Sequence, residues 1–162
     1  SNECKYGCGT KQATLSTSAK TAVVDGNNKL TITMNVELEN PEDVVEMGIL
    51  YITKAGYTGT VEDAKADLTV KEEEMSADGS SFTLANRPYA RAKQYKSSVE
   101  NANLGNYTQA SVNFNFGDTQ ANLERPIYAR GYVIMKTSEN TYAIRYADEV
   151  ITGTVGSFLP AN

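Results

Sequence analysis

The 162-residue chain contains no histidine and no tryptophan, and it has only two cysteines. The absence of histidine excludes Ser-His-Asp and Cys-His nucleophile systems, histidine-ligated zinc and the HExxH metalloprotease motif. The chain also lacks the glycine-rich GxGxxG and GxxxxGKS/T loops that cradle phosphates. We therefore expect no enzyme activity, no metal site and no cofactor.

Positive charge and long hydrophobic runs are also scarce. The 15 lysines and arginines against 20 acidic residues give a formal net charge of −5. This balance argues against a sequence-independent grip on DNA or RNA, which needs many basic contacts to phosphate. The longest largely apolar stretch, 47–52, is far shorter than the ~20 residues of a membrane-spanning helix. We therefore expect neither nucleic-acid binding nor membrane insertion, and the length suits about one domain.

What the sequence does contain is alternation of apolar and polar residues, which is typical of half-buried β-strands. The clearest case is 29–38, with apolar side chains at five alternate positions. It follows a tight-turn tetrad at 25–28, so an earlier strand near 13–24 is expected to form a hairpin with it. The stretch 45–53 is apolar on both faces, which favours a central strand covered on two sides.

Further elements follow the same patterns. Thr60 with an acidic first turn predicts one short helix. Other strands are predicted at 67–71, 80–85, 110–116, 126–136 and 141–147, and 149–155 either continues the last of these past a kink or forms an edge strand. The sum is an all-β fold with a minor helix, an antiparallel β-sandwich of seven to nine strands. Its predicted core comprises Leu30, Ile32, Met34, Val36, Ile49, Val112, Phe114 and Val133.

The domain organisation follows from these elements. Residues 1–11 are short, polar and glycine-containing and indicate an N-terminal tether. Residues 12–157 are predicted to form a single β-sandwich domain, and residues 158–162 a C-terminal tail. Within the domain, 86–108 is predicted to be an unusually long connection, and long loops in small domains tend to be functional.

Three stretches carry a resemblance to a known family. The strings IYARGYVIM and TYAIRYADEVITGTV resemble the closing hairpin of immunoglobulin- or fibronectin-III-like modules, and VVEMGILYITK is similar to a middle strand of such modules. More narrowly, they look like those in surface and secreted proteins of Gram-positive anaerobes. The resemblance implies an extracellular accessory or adhesive module, secreted or on the cell surface, with neighbouring modules of a larger protein as partners. The Cys…Trp…Cys triad of antibody domains is absent.

One sheet face is the candidate binding site. Tyr128, Arg130 and Tyr132 share a face by their period of two, and Tyr146 can join it across the hairpin. Tyrosine and arginine on a flat face could stack on a sugar ring or anchor a host or cell-surface protein, which gives carbohydrate binding as the alternative function. The other interpretation is packing, either beneath 86–108 or into the sandwich, because aromatic stripes usually pack.

The only cysteines, Cys4 and Cys8, are four residues apart. A turn of helix-like backbone brings such positions to near 6 Å, within the ~7 Å limit for a disulfide, and the glycines at 7 and 9 ease a tight turn. In an exported protein we expect an intramolecular Cys4–Cys8 disulfide. The rival hypothesis is that one or both pair elsewhere in the parent protein or with a second chain.

Overall fold

A computed structural model describes residues 13–38, 43–96 and 109–161. These residues form eight antiparallel strands in two sheets, together with two short α-helices, α1 (Val61–Asp67) and α2 (Gln120–Leu123). The prediction of a mostly antiparallel β fold with a minor helix is confirmed. The strands are β1 (Ala13–Val24), β2 (Asn27–Leu38), β3 (Val44–Ile52), β4 (Arg91–Lys96), β5 (Gln109–Phe116), β6 (Pro126–Ser138), β7 (Thr141–Tyr146) and β8 (Ile151–Thr154).

The strands divide unequally between the sheets. One sheet has the order β1-β2-β5, and the other has the order β4-β3-β6-β7 with β8 also paired to β6. The β1–β2 hairpin closes through Asp25 and Gly26, whose φ angles are 51° and 78°. Two successive residues with positive φ match the type I′ turn, which suits the twist of a two-residue hairpin. The predicted hairpin is therefore confirmed.

The two sheets pack face to face around an inter-sheet core. Seven of the eight predicted core residues are buried there, and the eighth, Phe114, is half-buried and packs against the same cluster. The sheets meet through alternate residues of β2 and β5 on one side and of β3 and β6 on the other, as period-two patterning requires.

A second hydrophobic cluster, the outer core, lies on the opposite face of the five-stranded sheet. Leu50 and Ile52 of β3 and Ile134 of β6 supply its sheet side. Its other side comes from residues 53–90, here called the cover segment, through side chains such as Leu68 and Phe82. This second layer explains why β3 and β6 are apolar on both faces.

The cover segment contains the predicted helix. The Thr60 side chain accepts a hydrogen bond from the backbone N–H of Asp63, and the Asp63 carboxylate accepts one from the N–H of Thr60. This reciprocal capping box fixes the start of α1. The backbone hydrogen bond to the Asp63 carboxylate also holds its pKa below the usual value.

Two predicted strands in the cover segment are wrong. No strand forms at 67–71: α1 continues to Asp67, and Leu68 and Val70 are alternate anchors in the outer core. The pairing expected at 80–85 reduces to one isolated bridge between Met75 and Phe82. In both places the alternation of apolar residues reflects separate contacts with the outer core.

The chain differs from expectation at 86–108 and at Phe158, whereas β8 follows the first of the two alternatives predicted for 149–155. The predicted connection 86–108 contains β4, which pairs with β3 along Glu46–Tyr51, and 97–108 lies outside the described residues. At the other end of the chain, β8 pairs with the Pro126–Ala129 part of β6 while β7 pairs farther along the same strand. The chain thus continues β7 past a kink. Phe158, assigned to the tail, packs against the inter-sheet core.

Within the three described ranges, no helix combines the length and the apolar character that crossing a membrane would require.

Candidate functional site

Tyr132, in the middle of the predicted binding face, is fully buried. Its ring packs edge-on against Phe82 of the cover segment, with ring centroids 5.3 Å apart. Its hydroxyl donates a hydrogen bond of 2.5 Å to Oε2 of Glu46. Burial, and then the neighbouring Glu46 carboxylate, raises the pKa of Tyr132 far above its ordinary value of 10.0, so the phenol keeps its proton.

Tyr128 and Arg130 are half-buried and bonded to the cover segment. The Tyr128 hydroxyl donates to the Gly59 carbonyl at 3.3 Å, and its ring meets Tyr57 edge-on. Arg130 donates to the Thr69 hydroxyl at 3.1 Å and to the Ala147 carbonyl at 3.2 Å. Burial lowers the pKa of the Arg130 guanidinium.

Tyr146 completes the group across the hairpin. The Arg130 guanidinium lies 4.1 Å from the centre of the Tyr146 ring, a cation–π contact. The Tyr146 hydroxyl accepts a hydrogen bond of 2.9 Å from the backbone N–H of Val70. Burial raises the pKa of Tyr146.

The four residues are therefore brought together, but beneath the cover segment. Tyr132 is out of reach of a ligand, and the other three use their polar groups to attach 53–90 to the sheet. This corrects the interpretation of the face as an open aromatic platform. The covering chain is mostly 53–85, and of the 86–108 stretch considered in the packing alternative, residues such as Tyr89 and Ala90 also contribute to it.

Glu46 is a buried acid that the sequence interpretation missed. Besides the bond from Tyr132, its Oε2 accepts one of 3.1 Å from the Gln94 side chain, and Lys96 Nζ lies 3.9 Å from Oε1. Oε1 is buried and has no hydrogen-bond partner within the described residues. The signal was a single glutamate inside an otherwise apolar strand. Because Glu46 and Tyr132 are both buried, we interpret their hydrogen bond as structural.

A second polar cluster holds the cover segment together. Arg87 forms a two-pronged ion pair with Glu74, with both N···O distances 2.7 Å. It also donates to the carbonyls of Asp67 and Thr69 at 2.7 Å and 2.6 Å. A cavity of about 500 Å³ opens beside this pair. Most of the guanidinium donors are already used within the segment, so Arg87 acts as an internal clamp.

The outer face of the three-stranded sheet is polar and open. The strand register forms two rows across it, Lys20–Thr31–Asn113 and Ala22–Lys29–Asn115. A shallow depression of about 540 Å³ lies over these rows. Val24, 38% exposed, lines its edge. We call this surface the lysine–amide face.

Metal-binding groups are not assembled in the part of the chain that the structure describes, where no three acidic or cysteine side chains lie close enough to hold an ion. Cys4 and Cys8 lie outside the described residues, so the disulfide stays a prediction.

Comparison with protein-family models, with curated proteins and with solved structures finds no match.

Proposed function

We propose that the chain is a non-catalytic immunoglobulin/fibronectin-III-like module of a secreted or surface protein. In this role it acts as a spacer or as an interaction domain between neighbouring modules and a glycan or protein partner. The observation that carries the proposal is that β1 begins and β8 ends at opposite ends of the sheets.

The described chain enters and leaves at opposite ends of the sheets. The Thr21 hydroxyl donates a hydrogen bond of 2.8 Å to the Val155 carbonyl, just after β8. Ala13, where β1 begins, is eight residues away along the same strand. At ~3.3 Å per residue this separation is about 26 Å. Opposite ends allow modules to follow one another in a string, as a spacer requires.

The strand order supports the family part of the proposal. In a constant-type immunoglobulin sandwich, strands one, two, five and four form one sheet and strands three, six and seven form the other. Here the order is the same except that β4 pairs with β3 and not with β5, and that an eighth strand, β8, pairs with β6. Moving the edge strand β4 to the other sheet leaves the pairing of β1 with β2, β2 with β5, β3 with β6 and β6 with β7 unchanged.

The hydrogen bonds of two carboxylates, Glu46 and Glu74, support a non-catalytic role. The buried acid Glu46 is bonded to Tyr132 and Gln94, and Glu74 is bonded to Arg87. Both carboxylates are held by fixed partners, whereas a general acid or base must reach its substrate. Carbohydrate binding by the tyrosine–arginine face is not favoured, because the cover segment occupies that face.

Single-molecule force spectroscopy tests the spacer role, with the chain held at its two ends. We expect one cooperative unfolding event that releases about 500 Å for the described chain, at roughly 3.5 Å per residue. Extension in several small steps at low force would contradict a spacer that carries tension.

A substrate screen tests the non-catalytic part separately. We expect no turnover of glycosides or esters. Turnover that one carboxylate or serine substitution abolishes would show that the chain is an enzyme.

A further inference from the structure

We infer that the lysine–amide face binds a carboxylated sugar unit of an acidic polysaccharide. The inference rests on the interaction role in the proposed function and specifies its ligand class. It does not depend on the spacer role.

Two lysines supply the charge. Lys20 pairs with Thr31 in the register, and Lys29 lies two residues before Thr31 on the same strand, so the lysines are diagonal neighbours. Diagonal positions on adjacent strands are about 7–8 Å apart, which lets two flexible ammonium groups converge on one carboxylate. Both side chains are exposed.

The two lysines of this face have no ion-pair partner among the described residues. The acid on the same face, Glu37, is eight residues from Lys29 along β2, about 27 Å away. Asp25 lies in the hairpin turn beyond the rows. The chain as a whole carries −5, so this positive patch contrasts with its surroundings and complements an anion.

The middle of the face supplies oriented hydrogen-bonding groups. The Thr31 hydroxyl donates to Oδ1 of Asn113 at 2.8 Å. Because that bond uses the amide oxygen, it fixes the orientation of the amide and leaves the two N–H donors for other acceptors. Sugar hydroxyls and ring oxygens are acceptors of this kind.

The edge of the face is apolar. Val24, on the same face of β1 as Lys20 and Ala22, is exposed by 38%. Val24 and Ala22 line the depression beside the lysines. The C–H face of a pyranose ring suits such a surface. The volume of about 540 Å³ falls within the roughly 300–1,000 Å³ typical of ligand sites.

These features select the ligand class. The lysines favour an anion, the Asn113 amide offers N–H donors to nearby acceptors, and Val24 with Ala22 offers an apolar contact. A uronic acid unit carries all three on one ring. A neutral sugar would leave the lysines without a partner.

The test is titration calorimetry of the intact chain with a defined oligogalacturonate, and with its fully methyl-esterified form as the uncharged control. We expect wild type to bind the acidic oligomer in low salt and to lose the binding as salt rises. The ester is expected to bind at least about tenfold more weakly, because it lacks the charge-assisted bonds. Equal binding of both forms, or no binding of the acidic form, would overturn the inference.

Variants locate the site. Lys20→Gln/Lys29→Gln is expected to weaken binding by about tenfold or more, and Lys54→Gln, which removes an equal charge from the cover segment, to leave it unchanged. Asn113→Ala is expected to weaken binding without changing the salt dependence. Loss with the lysines but not with Asn113 would indicate unspecific attraction and overturn the inference.

Light scattering on the same samples tests whether a second copy of the chain occupies this face instead. A dimer that the lysine double variant dissociates would make the face a contact between copies of the chain, and this would also overturn the inference. Neither result depends on the force measurement, so the spacer role and the sugar site can fail separately.

Discussion

The Tyr132 hydroxyl donates a hydrogen bond to the carboxylate of Glu46, and both side chains are buried between the five-stranded sheet and the cover segment. A buried carboxylate is costly unless it is hydrogen-bonded, so the phenol compensates for the burial of Glu46. The pair joins β6 to β3 through side chains, in addition to the backbone ladder between these strands.

Tyr132→Phe is therefore expected to lower the free energy of unfolding by about 1–3 kcal/mol, because Glu46 loses a donor. Tyr128→Phe is the matched control: its longer, half-buried bond to Gly59 predicts a loss of at most about 1 kcal/mol. Urea denaturation followed by circular dichroism measures both. Equal stability of Tyr132→Phe and wild type would show that the bond contributes nothing.

Gly48 is expected to tolerate no side chain. A Cβ added there would overlap the Lys93 carbonyl oxygen and would lie 2.8 Å from the Tyr132 hydroxyl. Gly48→Ala should cost about 1–3 kcal/mol of stability or prevent folding, as overpacking does. Gly56→Ala is the control, because nothing lies within 4 Å of its added Cβ. Thermal unfolding compares the two, and similar melting temperatures would contradict the close approach of Tyr132 to β3.

Arg87→Lys is expected to destabilise the cover segment although the charge is kept. Lysine cannot form the two-pronged bond to Glu74 and also reach the carbonyls of Asp67 and Thr69. Arg87→Ala should cost about 3–5 kcal/mol, since it leaves Glu74 without its partner. Arg145→Lys, which is exposed on the edge strand β7, is the control. Chemical denaturation that ranks Arg87→Lys with the control would refute the clamp.

Stability should depend on the ionisation of Glu74. The hydrogen bond from Arg87 holds the pKa of Glu74 below its ordinary value of 4.5, so the folded state favours the charged form. The stability contributed by ionised Glu74 is present above pH 4.5 and is lost as the pH falls through the folded pKa. The stability gap between wild type and Glu74→Gln should therefore shrink on acidification. Urea titrations at several pH values measure it, with Glu73→Gln as the exposed control, and a gap that is constant with pH would contradict the prediction.

Mass spectrometry of unreduced peptides tests the pairing of Cys4 with Cys8. We expect one peptide that is two hydrogens lighter than its reduced form. Removal of the Cys4–Cys8 disulfide should change the free energy of unfolding little, because a disulfide that closes a short loop stabilises least in the chain-entropy model. Two free thiols, or a dimer that a reductant releases, would show that the cysteines do not pair with each other.

The sequence predicted strands correctly where a strand buries only one of its faces, because apolar and polar residues then alternate. β2 and β5 bury alternate residues against a single sheet, and their positions and core residues follow from the pattern. The two-sided apolar character of β3 also predicted its central place. The helix cap at Thr60 was predictable because it depends only on residues three positions apart in the sequence.

The cover segment was not predictable because its contacts are distant in the sequence. Val70 bonds to Tyr146, 76 residues away, and no local pattern encodes that distance. Tyr89, Ala92 and Tyr95 lie near helical spacing, which obscured the strand β4. The aromatic stripe was recognised as a group, but the sequence held no sign of which segment would cover it.

The cover segment lies between β3 and β6 in the sequence, and this order affects how the chain folds. Pairing Ile52 with Tyr128 closes a loop of 76 residues, and pairing Val44 with Met135 closes a longer one. The entropy of closing such loops must be overcome before the central strands gain their contacts, and contacts of high sequence separation slow folding. The outer apolar face of β3 is made before β6 during synthesis, and the cover segment follows it directly. Early collapse of residues 53–90 onto β3 would shield that face from aggregation while the chain waits for its central partner.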